Sequence, residues 1–172
     1  MPHKDWLLNI SILASLLALI VFLYFLVSTG QSSHQVQANS YTKEQIINAI
    51  NIQREQNNLS KLTPNDKLNI SAQAKADDMK NRKYFSHIYA EDGTKWSDFI
   101  EKSGYNYSVA GENLANGFYN LEPMIEAWMN SPTHRENVLN PKVDETGVGI
   151  SFGELNGNPT IFVVQVFGKQ VK

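Results

Sequence analysis

The stretch that decides the fold is GVGISFGELNGNPTIFVVQVFG, residues 147–168. Its arms, 147–153 and 160–168, are rich in the β-branched and aromatic residues that suit a pleated, half-buried surface. Between them ELNGNP places Asn156-Gly157 at its centre, the dipeptide of a tight turn whose two central residues take positive φ. The segment therefore predicts a β-hairpin. Upstream of it the domain opens with helices. Thr42 and Gln45 have capping-box spacing, and Ile46, Ile47 and Ile50 form an apolar stripe running to about Asn57. Leu59 and Leu62 lead to a break at Pro64, and Asn65 or Asp66 caps a second helix striped by Leu68, Ala72, Ala76 and Met79. Ser97 is expected to cap a short third helix, DFIEKS, with Gly104 as its left-handed C-cap. A fourth begins near Leu121, has Pro123 in its first turn and turns Met124, Ile125, Trp128 and Met129 inward, Trp128 as core. Ser131 as N-cap and Pro132 at the first helical position start a fifth, reaching about Leu139. Helices followed by antiparallel strands predict an α+β domain with helices packed on a small sheet.

This domain, residues 41–172, follows a very different segment. Trp6 to Val27, WLLNISILASLLALIVFLYFLV, carries no charge. At the helical rise it spans roughly 33 Å, enough for a hydrocarbon core of about 30 Å. Residues 6–27 are therefore expected to be a transmembrane signal-anchor helix. Its apolar core exceeds the 7–15 residues or so of a cleaved signal peptide, which favours a retained anchor. Small-residue sites at Ser28-Thr29-Gly30 and Val36-Gln37-Ala38 keep cleavage, and hence secretion, open. His3 and Lys4 precede the helix and no Lys or Arg follows until Lys43, so the positive-inside rule makes residues 1–5 a cytoplasmic tip. Residues 28–40, STGQSSHQVQANS, read as a flexible linker to an extracytoplasmic domain.

Composition narrows the partners. The net charge is −2 and no basic stripe is visible, which argues against nucleic acid. The chain has no cysteine, so it holds together by packing without disulfides, and a thiolate zinc site is excluded. Of the four histidines, His3 and His34 fall outside the domain. His87, in YFSHIYAEDG, and His134, in the first turn after Ser131, remain. Glu112 lies between them beside Gly111, a flexible backbone position. Imidazoles with a carboxylate suit a divalent cation or acid–base chemistry. Their spacing alone is that of ordinary surface and capping residues.

In order along the domain come INIQREQNNLSKL, AQAKADDM leading to FSH, then GY and AGENLANG, followed by EAWMNSPTHRENVLNP, ETGVGI and VVQVFG. Together these pieces resemble the CAP superfamily, the cysteine-rich secretory, antigen 5 and pathogenesis-related proteins, in its disulfide-free bacterial, SCP-like form. The resemblance runs from about Tyr41 to Lys169. It implies an α–β–α sandwich around a three-stranded antiparallel sheet, and a cleft holding two histidines and two carboxylates. The FSH motif carries the first histidine to His87, GEN the glutamate to Glu112, and SPTHRENVL the second histidine to His134. The second glutamate position is Ser131 here, whose expected task is the N-cap. On this resemblance His87, Glu112 and His134 are the catalytic candidates and also the metal candidates. Two imidazoles would hold zinc or a similar cation, with Glu112 as third ligand or as base to a bound water. Glu145 is either a substitute for the missing charge or a solvated residue at the strand entry. Asn113 is expected to tie down the loop after Glu112, Asn51 and Arg54 to buttress the first helix, and Gln165 to share a strand face with Val163 and Phe167.

Three functions remain open at this point. One is a binding module for a cation and an unidentified cell-surface or extracellular ligand, whether peptide, glycan or lipid. Another is a metal-assisted hydrolase using the same cleft, and the last a non-catalytic structural protein of the envelope.

Overall fold

The computed structural model describes residues 19–23 and 41–171. The chain divides into two compact units, Met1–Ser40 and Tyr41–Lys172. Residues 19–23 are helical, and among the described residues no helix is long and apolar enough to cross a membrane. The expected tip, the linker and the rest of the anchor lie outside the described residues.

The second unit opens with α1, Lys43–Gln56, whose capping box is complete. The Gln45 N–H donates to Thr42 Oγ1 at 3.2 Å and the Thr42 N–H to Gln45 Oε1 at 2.7 Å. Helix α2, Asp66–Arg82, is capped by the Asn65 side chain, which accepts from Lys67 and Leu68. Leu68, Ala72, Ala76 and Met79 are fully buried, as their spacing predicts. Helix α3, Trp96–Lys102, starts earlier than expected, so that Lys95 and not Ser97 holds the cap position. There the Asp98 carboxylate accepts the Lys95 N–H at 2.8 Å, the reciprocal half of a capping box and a different bond from the one a serine cap would make. Gly104 closes the turn at φ 73°. Helices α4, Leu121–Asn130, and α5, Pro132–Val138, complete the helical set of this unit.

The sheet has four strands in the order β1-β3-β4-β2: β1 Thr63–Pro64, β2 Tyr107–Asn116, β3 Glu145–Leu155 and β4 Asn158–Gln170. Strands β3 and β4 form the expected hairpin, turning through Asn156 at φ 53° and Gly157 at φ 80°. Two features differ from the sequence reading. The sheet is mixed, because Thr63-Pro64 pairs in parallel with β3. Proline suits that outermost position, where its missing N–H costs no ladder bond, and the Thr63 and Asn65 amides donate to the Asp144 and Thr146 carbonyls instead. The stretch around Gly111 is no flexible loop but the middle of β2, paired antiparallel with β4 from Tyr107 to Asn116.

Alternation along β4 divides the core between two helical layers. Ile161, Val163 and Phe167 pack with Ile46, Ile50, Met124, Trp128 and Val138 of α1, α4 and α5. Phe162, Val164 and Val166 pack with Leu68, Ala72, Met79 and Ile100 of α2 and α3. Trp128 is core, as expected, and donates its indole N–H to the Leu114 carbonyl at 3.0 Å. On β3, Gly147 and Gly149 bring α2 so close that a Cβ at either would lie 2.1–2.2 Å from helix backbone atoms.

Candidate functional site

The site is built on β2, an edge strand of the sheet. Because the strand has period two, Glu112 and Asn113 point to opposite faces. Glu112 lies opposite Val166 and so faces α2; Asn113 lies opposite Gln165 and so faces α5.

On the α2 side, the helix ends with Lys83 in the left-handed region, and the chain bends at Ser86 and His87 before the bridge between Ile88 and Lys95. This carries the His87 ring to Glu112, with Nδ1 2.7 Å from Oε1. The His87 side chain is 51% exposed and that of Glu112 only 1%. Burial pushes the Glu112 carboxyl above the usual range, against the pull of His87 and Lys75. Its second oxygen, Oε2, is buried with no hydrogen-bond partner among the described residues.

On the α5 side, His134 Nδ1 lies 2.8 Å from Ser131 Oγ. Its backbone carbonyl accepts from Asn113 Nδ2 at 3.0 Å. Asn137 Nδ2 donates both to the Glu112 carbonyl at 3.1 Å and to Asn113 Oδ1 at 2.9 Å, sewing α5 to the strand. Gly111 makes this approach possible, since a Cβ there would sit 2.7 Å from Asn137 Oδ1. Burial, and then the proximity of His87, lower the His134 pKa.

The expected site residues are thus partly brought together. His87 and Glu112 are hydrogen-bonded, and His87 adds to burial in lowering the His134 pKa. Among the described residues, however, no three His, Asp or Glu side chains are grouped to hold a metal ion. Glu112 spends one oxygen on orienting the His87 ring, and its other oxygen has no hydrogen-bond partner among the described residues. Glu145 does not join the site. Its carboxylate accepts from the Tyr105 hydroxyl at 2.6 Å, from Asn65 at 2.8 Å and from Gln170 at 3.0 Å. These bonds outweigh its burial and leave its pKa low, so it is neither a substitute for the missing charge nor merely solvated.

Ser131 occupies the N-cap position of α5 but makes no side-chain cap bond. Its hydroxyl goes to His134 instead. Asn113 does tie down local structure, though through α5 and not through a loop. Arg54 buttresses more than its helix, donating to the Ser60, Val138, Asn140 and Val143 carbonyls. Gln165 is fully buried on the face of Val163 and Phe167, its amide donating to Thr146 Oγ1 at 3.1 Å. Two residues escaped the sequence reading. Asn137 lies inside SPTHRENVL with nothing in its spacing to mark its role, whereas Lys75 falls seven residues after Leu68 and three after Ala72, inside the apolar stripe of α2.

Comparison with known proteins accords with this geometry. Residues 47–167 match the model of the CAP, cysteine-rich secretory protein, family. YkwD of Bacillus subtilis (strain 168) is 37% identical over 121 residues, 70% of this chain and 47% of that protein. YlbC of the same organism, described as a membrane protein, is 31% identical over 109 residues, 63% of this chain and 31% of its own length. Among solved structures, an extracellular protein containing an SCP domain from Bacillus anthracis superposes with a TM-score of 0.61 at 28% identity. That match covers 78% of this chain and 41% of the other. The chain belongs to the CAP family, and it spans less than half the length of each of these three relatives. Its relatives include extracellular and membrane proteins.

Proposed function

We propose that this chain is an extracytoplasmic binding module whose paired histidines, His87 and His134, take a divalent cation such as zinc together with a ligand from the cell surface or its surroundings. The observation that carries the reading is the His87–Glu112 pair. A carboxylate on Nδ1 fixes the tautomer and the ring orientation, and leaves the Nε2 lone pair for a cation. The Ser131 hydroxyl does the same for His134 without adding charge. Two imidazoles are an open donor set; the remaining positions of a bound ion would go to water or to groups of a ligand, as suits binding. Anchoring at a membrane by residues 6–27 belongs to the same proposal, and the description of YlbC as a membrane protein supports it. Zinc titrated calorimetrically into the protein should give heat that a His87→Ala/His134→Ala variant does not. Equal heats from the two would end the reading.

A second reading, hydrolysis, draws on Glu112 Oε2, an unpartnered oxygen on a carboxyl whose pKa is raised by burial. Those are properties of a group that accepts a proton during reaction. Cleavage of casein or peptidoglycan fragments that disappears in a folded Glu112→Gln variant would favour it. Cleavage that persists would remove Glu112 as the base.

A further inference from the structure

Beneath the His87 bend lies a charged side chain, the lysine of AQAKADDM, whose task the motif does not reveal. Lys75, in the middle of α2, is only 1% exposed. Its Nζ donates to the Tyr84 hydroxyl at 2.9 Å, to the Ser86 carbonyl at 2.9 Å and to the His87 carbonyl at 3.4 Å. Three acceptors match the three N–H groups of an ammonium. The ring of Tyr84 adds a face 4.8 Å from Nζ and that of Phe99 one at 5.6 Å. The Tyr84 hydroxyl in turn donates a hydrogen bond to Asp78 Oδ2 at 2.5 Å, so the cage ends on a carboxylate.

Successive carbonyls of an extended chain point in opposite directions. Those of Ser86 and His87 converge on one cation because the chain bends there. The His87 carbonyl also accepts the Trp96 N–H at 3.0 Å, so this peptide is held twice. By contrast the ring itself is half exposed, and Glu112 is its hydrogen-bond partner among the described residues. An exposed ring on an unanchored loop would sample several rotamers and lose that bond. We propose that Lys75 is the positioning residue of the site: a buried ammonium that clamps the Ser86 and His87 carbonyls and so holds the His87 ring on Glu112. Buried in the same layer, it also supplies positive charge opposite the Glu112 carboxylate. Its depth in the core costs it some basicity, which Glu112 and Asp78 partly restore.

The proposal uses the His87–Glu112 geometry and rests on the cation reading only for its metal arm. Nitrogen-15 spectra of the metal-free protein should show His87 in one fixed tautomer protonated at Nδ1. In Lys75→Met the ring signals should average between tautomers while the buried Trp128 indole N–H keeps its position, and Lys75→Arg should restore the single tautomer at least in part. Zinc affinity of the Met variant should fall about tenfold, the effect of losing a group that orients a ligand. A folded Met variant with the unaveraged His87 tautomer overturns the proposal. Should the Met variant not fold, the unsubstituted protein decides. A buried ammonium in this cage gives a slowly exchanging Nζ–H signal with hydrogen-bond coupling to the Ser86 carbonyl carbon, and its absence overturns the proposal too. If the unsubstituted protein takes no zinc, the cation reading falls, while the tautomer measurements still decide the role of Lys75.

Discussion

Gly149 is the position where one methyl group should do the most damage. A Cβ there would lie 2.2 Å from the Ala72 carbonyl oxygen and 2.3 Å from its carbon, where ordinary contact begins near 3.4 Å. The difference, 3.4 minus 2.2, requires α2 and β3 to separate by about 1.2 Å, and both atoms met are backbone, so no rotamer change relieves the clash. A gap of 0.5–1 Å already forfeits a quarter to a half of each dispersion contact. The buried stripe of Leu68, Ala72, Ala76 and Met79 would lose contacts along its whole length. Gly149→Ala should therefore cost about 3 kcal/mol, the upper end of overpacking penalties. For a domain of this size that corresponds to a fall of roughly 10 °C in Tm. Because Lys75 lies three residues beyond Ala72, the shift should also loosen the His87 bend. Gly157→Ala is the control: its φ of 80° is strained for alanine, but no atom lies within 4 Å of the added Cβ. That substitution should cost about 1 kcal/mol, from backbone strain alone. Thermal unfolding followed by circular dichroism decides. A Gly149→Ala protein melting within 2 °C or so of the parent, or no lower than Gly157→Ala, would refute the close-approach argument.

Other expectations come from single contacts. Arg54→Met should destabilise by about 3–5 kcal/mol in urea titration, since it strips four carbonyls of their donor and Arg54 is 2% exposed. Ser131→Ala should leave Tm nearly unchanged, because the hydroxyl caps nothing, whereas loss of a working N-cap would cost about 1 kcal/mol; the change should appear in the His134 ring signals instead. The pH dependence of His134 has a definite sign. Its pKa is lowered in the folded state by burial and by His87, so the unfolded chain binds more protons below the unperturbed value of about 6.5. Stability is lost as pH falls from there towards the folded pKa. Metal-free His134→Gln should show a flatter decline in Tm between about pH 7 and 5, and a parallel decline would contradict the assignment.

Local chemistry explains which parts of the fold were legible. Asn156-Gly157 demands positive φ at two successive residues, and Thr42 with Gln45 satisfies two orphan amides reciprocally; both signals act within four residues. Strand β2 was not legible, because YSVAGENLAN mixes glycine, a carboxylate and two asparagines, and its strand character is imposed by pairing with β4. Strand β1 is too short to carry a pattern at all. The two glycines of β3 could be read as strand residues, but the backbone of α2 above them is visible only in three dimensions. As for the site, spacing never joined His87, Glu112 and His134; the motifs did. What motifs could not supply was the division of labour. Ser131 has the composition of a cap and serves a histidine, and Glu145 has the charge of a ligand yet is held by a tyrosine, an asparagine and a glutamine.

Placing the site on an edge strand has a consequence for how its two halves communicate. Glu112 and Asn113 are consecutive, so the same peptide unit is gripped from the α2 layer through Glu112 and His87, and from α5 through Asn113 and Asn137. Each histidine is delivered by a different helical layer and a different half of the core, and the strand is the common rail. The two rings are nevertheless unequal. His87 is backed by a carboxylate, with an ammonium behind it, and reaches solvent; His134 is backed by a neutral hydroxyl, sits deeper, and is depressed in basicity by that burial and then by its partner. Backing by a carboxylate raises the basicity of an imidazole towards a metal, and a hydroxyl does so far less. A cation shared by the pair should therefore depend more on His87 than on His134. Alanine at His87 should weaken zinc binding by the larger factor, even though His134 is the more buried of the two.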